Sequence, residues 1–287
     1  MSNFIIFTDT GCDIKADVLA NWGVKFAKLS FAFDTDGIIL TDDTVESKAF
    51  YDRMRNGEVA KTSAVNIESF KDLFRPELEN GFDILYIGFS SGLSTTFNSG
   101  RVALEELSEE FPDRKVIAVD SLSASAGQGL LVKLAVDYKN SGKTIEEVAK
   151  FVEDNRLNLC HWFTVDDLVY LKRGGRVSPT VAFVGGLLGI KPIMHVDNEG
   201  HLVKVTTARG RKAALKAIVD KFGETALDTS GKIYISHGDC IEDANEAAAM
   251  VKEAYGTEVE LITDVGAVIG SHSGPGTFAF FYLGKER

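Results

Sequence analysis

The first 156 residues alternate short apolar runs with amphipathic stretches, a pattern that few folds satisfy. Phe4 to Thr8 reads as a buried strand and Ala16 to Trp22 as a helix. Val24 to Phe33 reads as a second strand, followed by helices over Ser47 to Asn56 and Glu68 to Glu79. A strand over 83–88, a helix running to Glu109, a strand over Lys115 to Asp120 and helices over 125–140 and 144–156 complete the series. Strands separated by helices pair in parallel, so this part is expected to form a doubly wound, mostly parallel α/β sheet.

From about residue 159 the texture changes. Leu159 to Val165 is strand-like, and Ile193 to Thr207 reads as a hairpin turning at Asp197 to Gly200. A helix over 210–226, a strand over Lys232 to Ser236 and a helix over 241–255 follow, with strands over Glu258 to Thr263 and Thr277 to Leu283. A hairpin joined by returning strands implies a mixed or antiparallel sheet. At 287 residues the chain is long enough for two such units. The expected division is 1–158, an N-terminal α/β domain, and 159–287, a C-terminal α+β domain, with a ligand between them.

The strand at 83–88 runs into a turn in which five of the seven residues from Ser90 to Thr96 carry a hydroxyl. In an open α/β sheet, ligands bind beyond the carboxyl ends of the strands, where the next helix starts. Backbone N–H groups there favour an anion, and neutral hydroxyls can donate to it without adding charge. The turn suits a small acidic head-group.

Charge and composition remove several classes. Asp and Glu total 42 against 31 Lys and Arg, a formal charge of −11, the wrong sign for a nucleic-acid binder. The basic clusters at 172–176 and 209–212 contain no interleaved aromatics. Cys12, Cys160 and Cys240 are widely spread and form no CxxC pair, which argues against a disulfide framework. Only four apolar residues precede Thr8, too few for a signal peptide. The uncharged apolar run from Val181 to Ile190 is half a membrane span. A reducing cytoplasm is the expected compartment.

Five segments carry a resemblance. They are Ile6 to Ile14, Lys61 to Ala64, the 88–96 turn with Val119-Asp120-Ser121, Phe163 to Ser178 leading into Gly189 to Ile193, and Gly270 to Thr277. In this order, spread over essentially the whole chain, they resemble the DegV family of bacterial fatty-acid-binding proteins. The stretch Asp166-Asp167-Leu168 through Arg176, with Lys191-Pro192 downstream, and the terminal His272 to Thr277 are the specific signals.

The resemblance implies two α/β domains enclosing one long-chain fatty acid, its carboxylate at their junction and its tail in an apolar tunnel. It implies a carrier without turnover of its own. Such a carrier presents the carboxylate to a separate fatty acid kinase, which makes the acyl-phosphate for phospholipid synthesis. By the same resemblance Thr62 and Ser94 hold the carboxylate, His272 lies close to it and serves the kinase step, and Arg176 and Arg209 face the partner or its nucleotide. No cofactor, no integral membrane association and a monomer are expected. The chain departs from the family pattern at Thr95, where a glycine is usual, at Thr10-Gly11-Cys12, and at Ser273, where threonine is usual.

The residues themselves agree. A carboxylate held by hydroxyls keeps an oxygen reachable, whereas a bidentate arginine shields both. The 181–190 run, with Phe183, Leu187, Leu188 and Ile190 as candidate tunnel walls, has no polar side chain, and its three glycines let a ligand chain pass close to backbone. Burying a tail of about fifteen methylenes is worth on the order of 12 kcal/mol before ordering costs.

Each residue also has a plainer explanation. Thr62 suits a helix N-cap, Ser94 suits helix-start chemistry, and lone arginines are usually solvated. The 181–190 run equally suits a core helix. Two other functions are open to the same sequence. Gly88 to Gly92 matches GxSxG, the nucleophile elbow of a serine hydrolase or esterase, with Asp264 and His272 as partners to Ser90. His237, Asp239 and Cys240 together supply too few ligands for a metal enzyme.

Overall fold

The computed structural model describes residues 3–177 and 189–287. Phe183, Leu187 and Leu188 lie outside the described residues. In chain order the strands are β1 (Phe4–Asp9), β2 (Val24–Ala27), β3 (Ser30–Phe33), β4 (Leu40–Thr41), β5 (Ala60–Ser63), β6 (Asp83–Gly88) and β7 (Val116–Asp120). Next come β8 (Leu159–Thr164), β9 (Ile190–Val196), β10 (Leu202–Arg209), β11 (Tyr234–His237), β12 (Leu261–Asp264) and β13 (Phe278–Leu283).

The expected alternation yields a parallel sheet of order β2-β1-β6-β7, in which β1 pairs with both β2 and β6 and β6 pairs with β7. The later strands form a six-stranded sheet, β10-β9-β8-β13-β11-β12, antiparallel except for the β11–β12 pair. This is the mixed α/β class that the sequence implies.

Three expectations change. The run from Val24 to Phe33 is two strands, and they belong to different sheets. β2 extends the parallel sheet, while β3 pairs with β4 and β5 in a small antiparallel sheet. Lys61 to Ser63 is therefore strand rather than helix entry, with Thr62 opposite Phe31. The cap of the next helix, Ile67–Glu79, is Asn66, whose side chain accepts the Ser69 N–H.

The helix Ser125–Asn140 joins the two large sheets. It packs on β8, β11 and β13 and on the turn after β1, and its first eight residues are all buried. A helix segment buried on every side cannot be amphipathic, and Ser125 to Val132 is small or apolar except for Gln128. Gly127 is required there, since a Cβ at that position would collide with His161 and Phe281. One continuous core accordingly runs from Phe4 and Ile6 through Leu130 and Leu131 to Phe163, Ala279 and Phe281.

Candidate functional site

The turn after β6 is fixed from below by a buried carboxylate. Asp9, at the end of β1, accepts hydrogen bonds from the Phe89 N–H at 2.9 Å, the Tyr86 hydroxyl at 2.8 Å, the Gly11 N–H at 3.1 Å and the Gln128 side chain at 3.3 Å. Burial raises its pKa, and these bonds oppose the rise. Above it, the Ser90 N–H donates to Ser123 O and the Ser91 N–H to Asp120. The Gly92 N–H donates to Ser90 Oγ, and the Leu93 and Ser94 N–H groups donate to Ser90 O. These backbone donors, which the sequence offers to an anion, are thus engaged inside the turn. The Thr96 N–H is likewise taken by Ser94 Oγ, whereas the Thr95, Phe97 and Asn98 N–H groups at the start of the next helix carry no hydrogen bond among the described residues and stay open to an anion beside the side chains.

Those side chains border a cavity of about 470 Å³, within the range of small-molecule sites. Its mouth carries Thr62 from β5, Ser91 to Thr95 from the turn, Arg176, and His272 from the helix Ala267–Ser273. Thr62 Oγ1 lies 2.9 Å from His272 Nε2. Ser94 Oγ accepts the Thr96 N–H at 3.2 Å and shares a hydrogen bond with Thr96 Oγ1 at 2.9 Å, so the helix-start role exists alongside its place at the cavity. Thr95 is exposed with right-handed backbone and needs no glycine.

The far wall is the six-stranded sheet. Phe163, Ala279 and Ser236 lie directly opposite one another across β8, β13 and β11, with His161 and Phe281 in the next row on the same face. All five border the cavity, with Leu29, Leu171, Val196, Leu202, Val265, Val268 and Ile269 completing an apolar lining.

Burial, and secondarily the Arg176 charge, bring the His272 pKa down to about 4, so the imidazole is neutral at neutral pH. Its Nδ1 faces Gly174, where a Cβ would strike it, and has no partner among the described residues. An unpaired buried N–H costs more than an unpaired lone pair, which assigns the proton to Nε2 and makes His272 the donor to Thr62. The Thr62 hydroxyl proton is then free to point into the cavity. Arg176 is half-buried; its Nε–H donates to Leu93 O at 3.3 Å and its Nη1 to Gly174 O, and burial lowers its pKa. Only neutral carbonyls answer that charge among the described residues.

Thr62, Ser94, His272 and Arg176 therefore meet at one cavity. Arg209 is exposed at the end of β10, paired across the ladder with Ile190, and neither borders the cavity. Residues that motif reasoning missed are the floor, Phe163, Ala279 and Phe281. Their signal, two nearly continuous apolar runs, says that both faces of these strands are buried but not which face meets a cavity.

The hydrolase arrangement is not assembled. Ser90 is fully buried, its Oγ donating to Gly200 O at 3.0 Å. Asp264 lies 3.9 Å from His237 rather than beside His272. Cys240 Sγ is turned to Thr277 O at 3.2 Å and Asp239 pairs with Arg55. Among the described residues no His, Cys, Asp or Glu group is arranged to hold a metal ion. No helix among the described residues is long and apolar enough to cross a membrane.

The model of the family described as "Uncharacterised protein, DegV family" matches residues 3–285. A DegV domain-containing protein of Clostridium perfringens is 42% identical, over 100% of this chain and 99% of its own. A protein of Thermotoga maritima named a fatty acid-binding protein is 36% identical, covering 96% of this chain and 97% of its own. The solved structure of a DegV family protein from Thermus thermophilus, described for its fatty acid binding, superposes with a TM-score of 0.85 at 31% identity, over 98% of this chain and 99% of that one. With its motifs, its fold and its relatives in agreement along the whole length, the chain belongs to the DegV family.

Proposed function

We propose that the protein is a carrier that binds one long-chain fatty acid and presents its carboxylate to a separate fatty acid kinase, feeding phospholipid synthesis. It is not an enzyme itself and uses no cofactor. The acid lies between the 1–158 and 159–287 parts of a monomer. Its carboxylate accepts from the Thr62 and Ser94 hydroxyls beside His272, and its tail fills the apolar cavity. The observation that carries this reading is the meeting of hydroxyls, a neutral histidine and a half-buried cation at the mouth of one greasy cavity. Arg176, half-buried and without a carboxylate partner among the described residues, makes the mouth favourable to anions, the acid's head-group and a phosphoryl donor alike. The Thermotoga and Thermus relatives, which are named for fatty acid binding, support the ligand class.

The division of labour follows from magnitudes. Each methylene removed from water contributes about 0.8 kcal/mol, so the tail dominates affinity. Hydrogen bonds to the charged head contribute about 1.5–3 kcal/mol each and fix its direction. With hydroxyls as ligands, one carboxylate oxygen stays open to an incoming phosphoryl group. Arg176, half-buried at the mouth, and exposed Arg209 are the groups we assign to the kinase or its nucleotide.

The test is lipid extraction of the purified protein followed by mass spectrometry. One long-chain acid per chain is expected. A polar metabolite, or no lipid even after incubation with oleic acid, defeats the reading.

A further inference from the structure

We propose that Val265 is the stop that sets how long an acyl chain the cavity accepts, and that a second cavity behind it receives the chain end once the stop is cut back. This rests on the fatty-acid reading above. The second cavity, about 350 Å³, has Ile14, Phe50 and Ala267 among its apolar walls and Asp13 and Asp42 among its polar ones. Among the described residues, Val265 alone borders both cavities.

Around Val265 the partition is polar and braced. Ser125, on the side of the larger cavity, donates to the carboxyl of Asp13, on the side of the smaller. Ser236 Oγ lies 2.8 Å from Ser125 Oγ, and the Gly266 N–H donates to Asp13 Oδ1 at 3.0 Å. A hydrocarbon pushing through here would strip buried groups of their partners, which is costly. The Val265 backbone is equally fixed, its N–H donating to His237 O and its carbonyl accepting from the Tyr51 hydroxyl, both at 2.8 Å. The valine cannot step aside with its main chain. Val265 is the apolar residue of an otherwise hydrogen-bonded wall, and beyond it Ile14, Phe26, Val45 and Phe50 offer apolar surface between the polar groups of Asp13, Lys15, Asp42, Glu46 and Asp264.

A growing acyl chain therefore gains about fourfold in affinity per methylene until its end meets Val265, and then stops gaining. The experiment measures dissociation constants for straight saturated acids from about 12 to about 22 carbons, by displacement of a fluorescent fatty acid. In the parent protein the gain should break off at a definite length. Val265→Ala should move that break to acids longer by about two carbons or more, and Val265→Leu should move it to shorter ones. A break at the same length in whichever variants fold overturns the proposal, as does a parent series with no break. Failure of every acid to bind rejects the fatty-acid reading, and this inference with it.

Discussion

The cavity has two unlike halves, and they are built by different means. Its mouth is assembled from four separate stretches of chain, β5, the turn after β6, the segment after Leu171 and the helix Ala267–Ser273, each contributing one to three polar side chains. Its floor is one continuous sheet face, where Phe163, Ala279 and Phe281 sit in ladder register. A ladder fixes side-chain positions through backbone hydrogen bonds alone, whereas loops must be fixed one by one, as Asp9 fixes the Ser90 turn. The floor should therefore govern how strongly an acid binds, and the mouth which way its carboxylate faces.

The largest effect should come from filling the floor. Ala279 is opposite Phe163 on one side and Ser236 on the other. Ala279→Phe puts a ring into existing space, so the fold should survive while several methylenes lose their place. Fatty-acid affinity should fall by about 100-fold or more. Calorimetric titration with oleic acid checks this. Affinity within threefold of the parent would mean that the tail lies elsewhere.

Changes at the mouth should cost less affinity and more chemistry. Thr62→Ala and Ser94→Ala each remove one donor to a charged group, about 1.5–3 kcal/mol, or about ten- to a hundredfold in affinity. In a reconstituted assay with the kinase, turnover should fall further than binding, because the carboxylate is no longer aimed. If both fall in proportion, the hydroxyls contribute binding only.

Much of this was legible in sequence, for reasons that also explain the gaps. The β6 strand and its hydroxyl turn are contiguous, so the turn could be read directly, as could the β9–β10 hairpin with its turn at 197–200. The small β3-β4-β5 sheet was not legible. β4 is two residues long, β3 and β5 are four each, and the passage from β2 to β3 carries neither glycine nor proline. Thr62 was thus legible as a candidate site residue by motif and illegible as a strand residue. The donors from Ser90 to Ser94 are engaged while those at the start of the next helix are not, a difference that periodicity does not show, because it says where a turn lies and not where its N–H groups point. Val265 had no signal at all, since bordering two cavities is a property of packing.

His272 should show a smaller effect on binding and a separate one on pH. His272→Ala should leave affinity within about threefold, since Thr62 keeps its hydroxyl, yet reduce kinase turnover strongly. Its pKa of about 4 lies below the ordinary 6.5, so the unfolded chain takes up a proton that the folded chain refuses. Stability from this group is complete above about pH 6.5 and is lost as pH falls toward 4. His195, also at about 4, and the depressed His161 and His237 act in the same sense, while the raised Asp9 and Asp13 oppose them. All of these remain in His272→Gln, so its melting temperature should fall less steeply than the parent's between pH 6.5 and 4. Equal slopes would mean that the imidazole is protonated in the folded state.

Ser90→Ala should do the least to binding, and it separates scaffold hydroxyls from ligand hydroxyls within a single turn. Ser90 Oγ donates to Gly200 O and accepts the Gly92 N–H, so it holds the hairpin tip against the turn. Its loss leaves a buried carbonyl and a half-buried N–H without that partner, about 1–3 kcal/mol of stability. Ser94, four residues on, has a half-buried hydroxyl at the cavity. Chemical denaturation of Ser90→Ala should show the stability loss, with acid affinity unchanged within about twofold once the protein is folded. A serine-hydrolase probe should leave Ser90 of the parent unlabelled, because its oxygen is buried and no histidine stands beside it. Labelling there, or loss of acid binding equal to that of Ser94→Ala, would erase the distinction between the two serines.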